Sequence, residues 1–173
     1  MVGRSNVGKS TLINALLKQK VARTSAAPGK TRLVNYYLIE PESPHLKPLY
    51  LVDLPGYGYA RGGAESAEAF GQLTRESFDP SSRPGRQVGG VLHLIDSRQP
   101  ALRQDFLAHE WLVRRGVPVT IVATKMDKLN RSEQTQALKT FEKYNAVVVP
   151  SSVPAGLGQA EIWKIIHRWA QTP

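Results

Sequence analysis

The chain has 173 residues, no cysteine, and 23 Lys and Arg against 14 Asp and Glu, a formal net charge of +9. At about 150 residues per domain this length predicts one domain, 1–173, able to bury a sizeable core, and a hydrophobic share of 41% argues against disorder. The lack of cysteine excludes disulfides, thiolate nucleophiles and Cys-built zinc sites and is compatible with a reducing compartment, no apolar run approaches the ~20 residues of a membrane span, and no signal-peptide pattern opens the sequence.

The elements alternate. A helical pattern over Lys9–Gln19 is followed by a polar, non-periodic segment, Ala22–Lys30, that reads as mobile. Leu33–Ile39 and Leu49–Val52 read as strands, joined by a loop with Pro41, Pro44 and Pro48 that is short enough for antiparallel neighbours. A helix is expected over about Ala64–Phe78 and a turn-rich loop over Pro80–Arg86. Gly90–Ile95 and Val117–Ala123 are almost unbroken apolar runs, the pattern of strands buried on both faces of a parallel sheet, and Ala146–Val149 is a shorter one. Helices are expected over about Leu102–Arg115, over Ser132–Tyr144 with Ser132 as N-cap, and over Gln159–Gln171. This order implies an α/β fold with helices on both faces of a mostly parallel sheet.

The charge is concentrated at one end. Residues 1–39 hold seven basic residues (Arg4, Lys9, Lys18, Lys20, Arg23, Lys30, Arg32) and no acid. Such an excess points to a polyanion, whether nucleotide phosphates, RNA or an anionic membrane surface, unless it serves solubility alone.

Gly3-Arg-Ser-Asn-Val-Gly8-Lys9-Ser10 fits the phosphate-loop pattern GxxxxGK[ST]. Glycines let consecutive backbone N–H groups face a phosphate. Lys9 is placed for the β and γ phosphates, Ser10 for Mg²⁺, and the following helix adds its positive end. Such a loop ordinarily follows a buried strand, yet only Met1 and Val2 precede Gly3. The expectation is therefore that the first strand is truncated and that the sequence begins inside a longer natural chain.

Thr124-Lys125-Met126-Asp127 ends the Val117–Ala123 strand. A carboxylate there accepts two hydrogens from guanine N1 and N2. Adenine offers no such pair and leaves the carboxylate unmatched. The stem of Lys125 is expected to cover the base. Asp53-Leu-Pro-Gly56 ends the Leu49–Val52 strand, where Asp53 reaches Mg²⁺ through water and the Gly56 N–H meets the γ-phosphate. Thr31 lies before Leu33 as a second Mg²⁺ ligand, with Pro28-Gly29 as a hinge. Ser151 and Ser152 are placed to offer backbone N–H to guanine O6.

These elements in this order resemble the EngB (YihA, YsxC) family of ribosome-assembly GTPases, in the TRAFAC class of Ras-like P-loop G domains. The carrying residues are 3–10, Ala22-Arg-Thr-Ser25, Pro28-Gly-Lys-Thr-Arg32, Asp53-Leu-Pro-Gly-Tyr-Gly-Tyr-Ala60, Leu94-Ile-Asp-Ser-Arg98 and Thr124-Lys-Met-Asp-Lys-Leu129. The resemblance implies GTP/GDP and Mg²⁺ binding, slow GTP hydrolysis, a role in assembly of the large ribosomal subunit, a link to cell division and septation, and a cytoplasmic setting, bacterial or in an organellar matrix. The residues expected around the nucleotide are Gly3, Arg4, Ser5, Asn6, Val7, Gly8, Lys9, Ser10 and Thr11; Gly29, Lys30, Thr31, Arg32 and Leu33; Asp53, Leu54, Pro55 and Gly56; Thr124, Lys125, Met126 and Asp127; and Pro150, Ser151 and Ser152. Lys9, Thr31, Gly56 and Asn6 are expected to act in hydrolysis, and Ser10, Thr31 and Asp53 (through water) to hold the metal. Ser151–Gly158 is a looser form of the family's last guanine loop.

Many GTPases orient the attacking water with a Gln after Asp-x-x-Gly. Tyr57 stands there instead, and a phenol lacks the paired acceptor and donor of an amide, so intrinsic turnover is expected to be low. In GTPases resembling this one an Asn at position 6 can hold K⁺ near the β–γ bridge. The alternative is that Asn6 only braces the loop. His45, His93, His109 and His167 have no catalytic partner at informative spacing. His93 reads as a core histidine, and Trp163, Trp169 and Ile162, Ile165 and Ile166 as a core stripe.

Ribosomal RNA is the expected partner of a basic face drawn from Arg4, Lys18, Lys20, Arg23, Lys30, Arg32, Arg61, Arg83 and Arg86, with a monomer as the simplest state. Two other readings are a signalling GTPase with a protein target and a P-loop kinase of small molecules. The second would not need Thr124–Asp127.

Overall fold

A computed structural model describes residues 1–22, 34–40, 48–57, 78 and 87–171. Four strands form a parallel sheet in the order β1-β4-β5-β6, with β1 Val2–Gly3, β4 Val91–Asp96, β5 Val119–Thr124 and β6 Val147–Pro150. β2 (Asn35–Ile39) and β3 (Leu49–Asp53) pair antiparallel, as the short prolyl connection predicts. Backbone bonds join the two sheets. The Leu54 N–H donates to the Met1 carbonyl at 3.2 Å, the Met1 ammonium donates to the Val52 carbonyl, and Arg4 forms a parallel bridge with Tyr57. The tips of β1 and β3 therefore run side by side.

Alternation along β4 sorts the layers. Leu92 and Leu94 face α1 (Lys9–Leu17) and α4 (Gln159–Gln171), where Leu12, Ile13, Leu16, Ile162, Ile165 and Ile166 close one core. Val91, His93 and Ile95 point to the other side, toward α2 (Arg103–Val113) and α3 (Arg131–Phe141), where Leu112 and Phe141 are buried. Helices cover both faces, so β4 is buried along its whole length, which explains its mostly apolar sequence. Each fully buried Leu or Ile side chain contributes about 1.5–3 kcal/mol relative to exposure.

Two details depart from expectation. α1 ends at Leu17 rather than Gln19, because Lys18 turns left-handed (φ 52°). The N-cap of α3 is Asn130, not Ser132. The Asn130 side chain accepts from the Glu133 N–H at 3.0 Å, and the Glu133 carboxylate accepts from the Asn130 N–H at 2.7 Å. The reciprocal pair satisfies two helix-end donors, and Asn130 has a Glu three residues on. The α3 helix passes into a 3₁₀ turn at Glu142–Tyr144. The expected helix at 64–78 (except Phe78) and the loop 80–86 lie outside the described residues.

Candidate functional site: a phosphate loop tied to a base loop

The first turn of α1 is built for an anion. Its N-cap is Gly8 at φ 106°, no side chain caps the helix, and the first turn holds no acid. The leading N–H groups therefore lack a side-chain acceptor, and the helix dipole favours negative charge there. Asn6 also sits at positive φ (62°), a conformation Asn tolerates better than most residues. Gly3, Arg4, Ser5, Asn6, Val7, Gly8 and Lys9 thus form a continuous curl between β1 and α1, with Ser10 and Thr11 on the first turn.

Lys9 and Asp53 are both buried, with Lys9 Nζ 3.6 Å from Asp53 Oδ1. That oxygen has no hydrogen-bond partner among the described residues. A buried carboxylate oxygen left so is costly, and a hydrated divalent cation beside it satisfies it. With the Ser10 hydroxyl on the adjacent turn, the donor set is the hard-oxygen set Mg²⁺ prefers, so the residues fit that ion. Thr31, the other expected ligand, lies outside the described residues, as do Gly29, Lys30, Arg32 and Leu33.

The base loop is bound directly to the phosphate loop. Thr124 Oγ1 donates to the Val7 carbonyl at 2.8 Å and lies 3.2 Å from that of Ile95. Lys125, left-handed at φ 59°, donates from Nζ to the Asn6 carbonyl at 2.7 Å and to Asp96 Oδ2 at 2.9 Å. Burial pushes the Asp96 carboxyl up, but hydrogen bonds from Arg98 and Lys125 outweigh it and hold the pKa at about 2. Met126 is buried beneath the loop. Asp127 accepts from the Ser152 hydroxyl at 2.7 Å and lies 3.4 Å from Lys128 Nζ. The Ser152 bond first, against an opposing effect of burial, then its own backbone N–H and Lys128, holds its carboxyl below the usual range.

The last loop differs from expectation. The Ser151 N–H donates to the Ala123 carbonyl at 2.8 Å, and the Ser152 N–H donates to that of Leu157 at 3.2 Å. Neither amide is available for guanine O6, because the Ser151 N–H extends the β5–β6 ladder, the Ser152 N–H closes the turn that follows β6, and Pro150 has no N–H. The role of Ser152 here is to hold Asp127. The next amide, Val153, carries no hydrogen bond among the described residues.

Arg4 is also redirected. Its Nε is 3.2 Å from Asp105 Oδ2 and its Nη2 donates to Gln99 at 3.2 Å. The guanidinium is committed to α2, so it leaves both the phosphate site and the basic RNA face, and only the backbone of Arg4 serves the loop. Lys18 and Lys20 are exposed. Arg23, Lys30, Arg32, Arg61, Arg83, Arg86 and His45 lie outside the described residues.

A cavity of about 530 Å³ opens between Thr11, Asn14 and Ala15 of α1, the stretch Lys20–Ala22, and Val153. It runs from the phosphate-binding turn to the loop beside Asp127. Asn14 builds one wall. Its side chain donates to the Ala22 carbonyl and accepts from the Ala22 N–H, both at 2.8 Å, clasping the chain just before residue 23. Sequence reasoning missed Asn14, although a polar residue beside the apolar stripe of α1 is a usable signal. It also missed Val153 and Asp105. Leu54 is buried and Pro55 and Gly56 half-buried at the end of β3, where a Cβ on Gly56 would lie 2.8 Å from the Ser5 nitrogen.

Known proteins are similar to this chain over most of its length. A family model described as 50S ribosome-binding GTPase matches residues 1–125. The EngB GTP-binding protein of Thermotoga sp. (strain RQ2) is 41% identical over 170 residues, covering 95% of this chain and 82% of that protein. A crystal structure of a GTP-binding protein engB superposes with a TM-score of 0.66 at 24% identity, covering 98% of this chain and 96% of that one. Era in complex with MgGDPNP and nucleotides 1506–1542 of 16S ribosomal RNA superposes with a TM-score of 0.75 at 24% identity, covering 97% of this chain and 54% of that one. Such structural likeness places the fold among Ras-like P-loop GTPases.

Proposed function

The chain belongs to the EngB family of GTP-binding proteins and is a GTPase, and on that premise we propose that it is a nucleotide-switched factor in assembly of the large ribosomal subunit, linked to cell division and septation. In this reading 1–173 is a single GTP-binding unit acting in the cytoplasm. Among the described residues no helix is long and apolar enough to cross a membrane.

The observation that carries the reading is the bond from Lys125 Nζ to the Asn6 carbonyl, 2.7 Å, which makes base recognition and phosphate binding one rigid object. A small-molecule kinase has no use for that tie. Asp127, oriented by Ser152, accepts N1–H and N2–H of guanine, and the Val153 N–H takes the place expected of Ser151 and Ser152 at O6. The helix N-terminus at Gly8–Thr11 and Lys9 cradle the β and γ phosphates. Ser10 and Asp53, with Thr31, hold Mg²⁺, which when bound neutralises charge on those phosphates. The Gly56 N–H meets the γ-phosphate.

Tyr57 does not orient water, because its phenol points into the protein toward Asp105 and His93. Low intrinsic turnover follows, with K⁺ at Asn6 as the candidate accelerator. Ribosomal RNA is the partner in this reading: the family's description names 50S ribosome binding, Era is seen with a segment of 16S ribosomal RNA, and Lys18 and Lys20 are exposed.

Titration calorimetry with GTP and ATP tests the first step, and equal affinity for ATP would overturn it. Salt-dependent binding to large ribosomal subunits with GDP and with a GTP analogue tests the second, and identical binding would end the switch reading.

A further inference from the structure

Tyr57, the residue after Gly56, is buried, and its side chain sits at the centre of a polar cluster that no nucleotide motif contains. The phenol donates to Asp105 Oδ1 at 2.7 Å and lies 2.6 Å from His93 Nε2. With the phenol proton given to Asp105, the second proton comes from the imidazole, so neutral His93 carries it on Nε2. On the far side of Asp105, Oδ2 is 3.2 Å from Arg4 Nε. Asp105 and His93 are both fully buried.

The backbone of Tyr57 is held as firmly. Its N–H donates to the Gly3 carbonyl at 3.3 Å and its C=O accepts from the Ser5 N–H at 3.2 Å. Gly56 is thereby pressed onto the phosphate loop. If the phenol leaves its seat, Asp105 Oδ1 and His93 Nε2 are left buried without these partners, a costly state. The seat therefore favours one position of the Gly56 N–H.

We infer that Asp105, on α2 and outside every nucleotide motif, is a positioning residue for GTP hydrolysis, which through the Tyr57 phenol fixes the Gly56 N–H where a γ-phosphate binds. The inference rests on the nucleotide roles proposed above. It makes α2 a lever on the triphosphate state, because the Gly56 N–H meets a γ-phosphate that a diphosphate lacks.

Three variants separate this from simple packing. Tyr57→Phe keeps the ring and removes the oxygen, Asp105→Ala removes the acceptor, and Asp105→Asn keeps an acceptor for the phenol. GDP affinity, measured by calorimetry, is expected to stay within about twofold of wild type in Tyr57→Phe, the variant that leaves the ion pair between Asp105 and Arg4 of the phosphate loop in place. Affinity for a non-hydrolysable GTP analogue, and kcat, are expected to fall about 5- to 20-fold in Tyr57→Phe and Asp105→Ala, with Asp105→Asn recovering most of the loss. If Asp105→Ala fails to fold, Tyr57→Phe alone decides. Parallel losses for GDP and the analogue in Tyr57→Phe, or an unchanged kcat at wild-type GDP affinity, would overturn the inference. Failure of the wild-type chain to bind GDP would instead overturn the nucleotide reading.

Discussion

The Lys125 ammonium donates to the Asn6 carbonyl at 2.7 Å, across 119 residues of sequence, and so ties the base loop to the phosphate loop. The same ammonium pairs with Asp96 at 2.9 Å. Lys125 thus bridges the phosphate loop and the end of β4.

Replacing Lys125 by Met isolates that tie, because the aliphatic stem remains and only the charged donor is lost. GDP affinity should fall about tenfold, about 1.4 kcal/mol, the size of a partly exposed charge-assisted bond. Calorimetry checks it, and unchanged affinity would show that the tie is incidental.

The pair Asp127 and Ser152 divides specificity from orientation. Asp127→Asn turns one acceptor into a donor facing guanine's own donors, so GTP affinity should drop at least about 100-fold, with less loss for xanthosine triphosphate. Ser152→Ala removes only the 2.7 Å bond to Oδ1 and should cost about 1 kcal/mol of GDP affinity. Competition titrations with both bases test this. Selectivity unchanged in Asp127→Asn would remove Asp127 as selector.

Acid should weaken the fold through His93. Burial first, then His109, lowers its pKa to about 3. The unfolded imidazole titrates near 6.5, so below that pH the unfolded chain takes up the proton more readily than the folded one. The contribution is fully present above about pH 6.5 and is lost as pH falls toward 3, amounting to about 2 kcal/mol by pH 5. His93→Gln keeps an N–H donor and removes the titration. Its urea midpoint should fall less between pH 7 and 5 than that of wild type. Asp96 acts in a lower window, between 3.8 and about 2. Equal falls in both proteins would show that His93 is not the titrating group.

Hydrolysis is expected to run faster in KCl than in NaCl at equal ionic strength, with Asn6→Ala losing the difference. Single-turnover rates give the answer. Identical rates in the two salts would leave Asn6 as a loop brace only.

The motifs were legible in the sequence because each depends on local chemistry. The 3–10 loop needs glycine at a left-handed position, Asp53 and Thr124–Asp127 end strands, and buried β4 and β5 are mostly apolar. The strand–helix order and the antiparallel β2–β3 pair followed from periodicity and loop length in the same way.

What the tertiary structure alone decided is where polar groups far apart in sequence meet. Arg4 was read as a phosphate or RNA residue from its position and charge, yet it is committed to Asp105. Ser151 and Ser152 stand in the sequence as amide donors for guanine, yet the Ser151 N–H bonds to Ala123 of β5 and the Ser152 N–H to Leu157. In sequence Tyr57 is part of a family run and stands where a Gln is common, while in the fold its phenol joins Asp105 and His93. Periodicity reports which face a side chain takes. Its partner is set by packing between α2, β4 and the phosphate loop, where burial makes a polar contact between distant residues matter most.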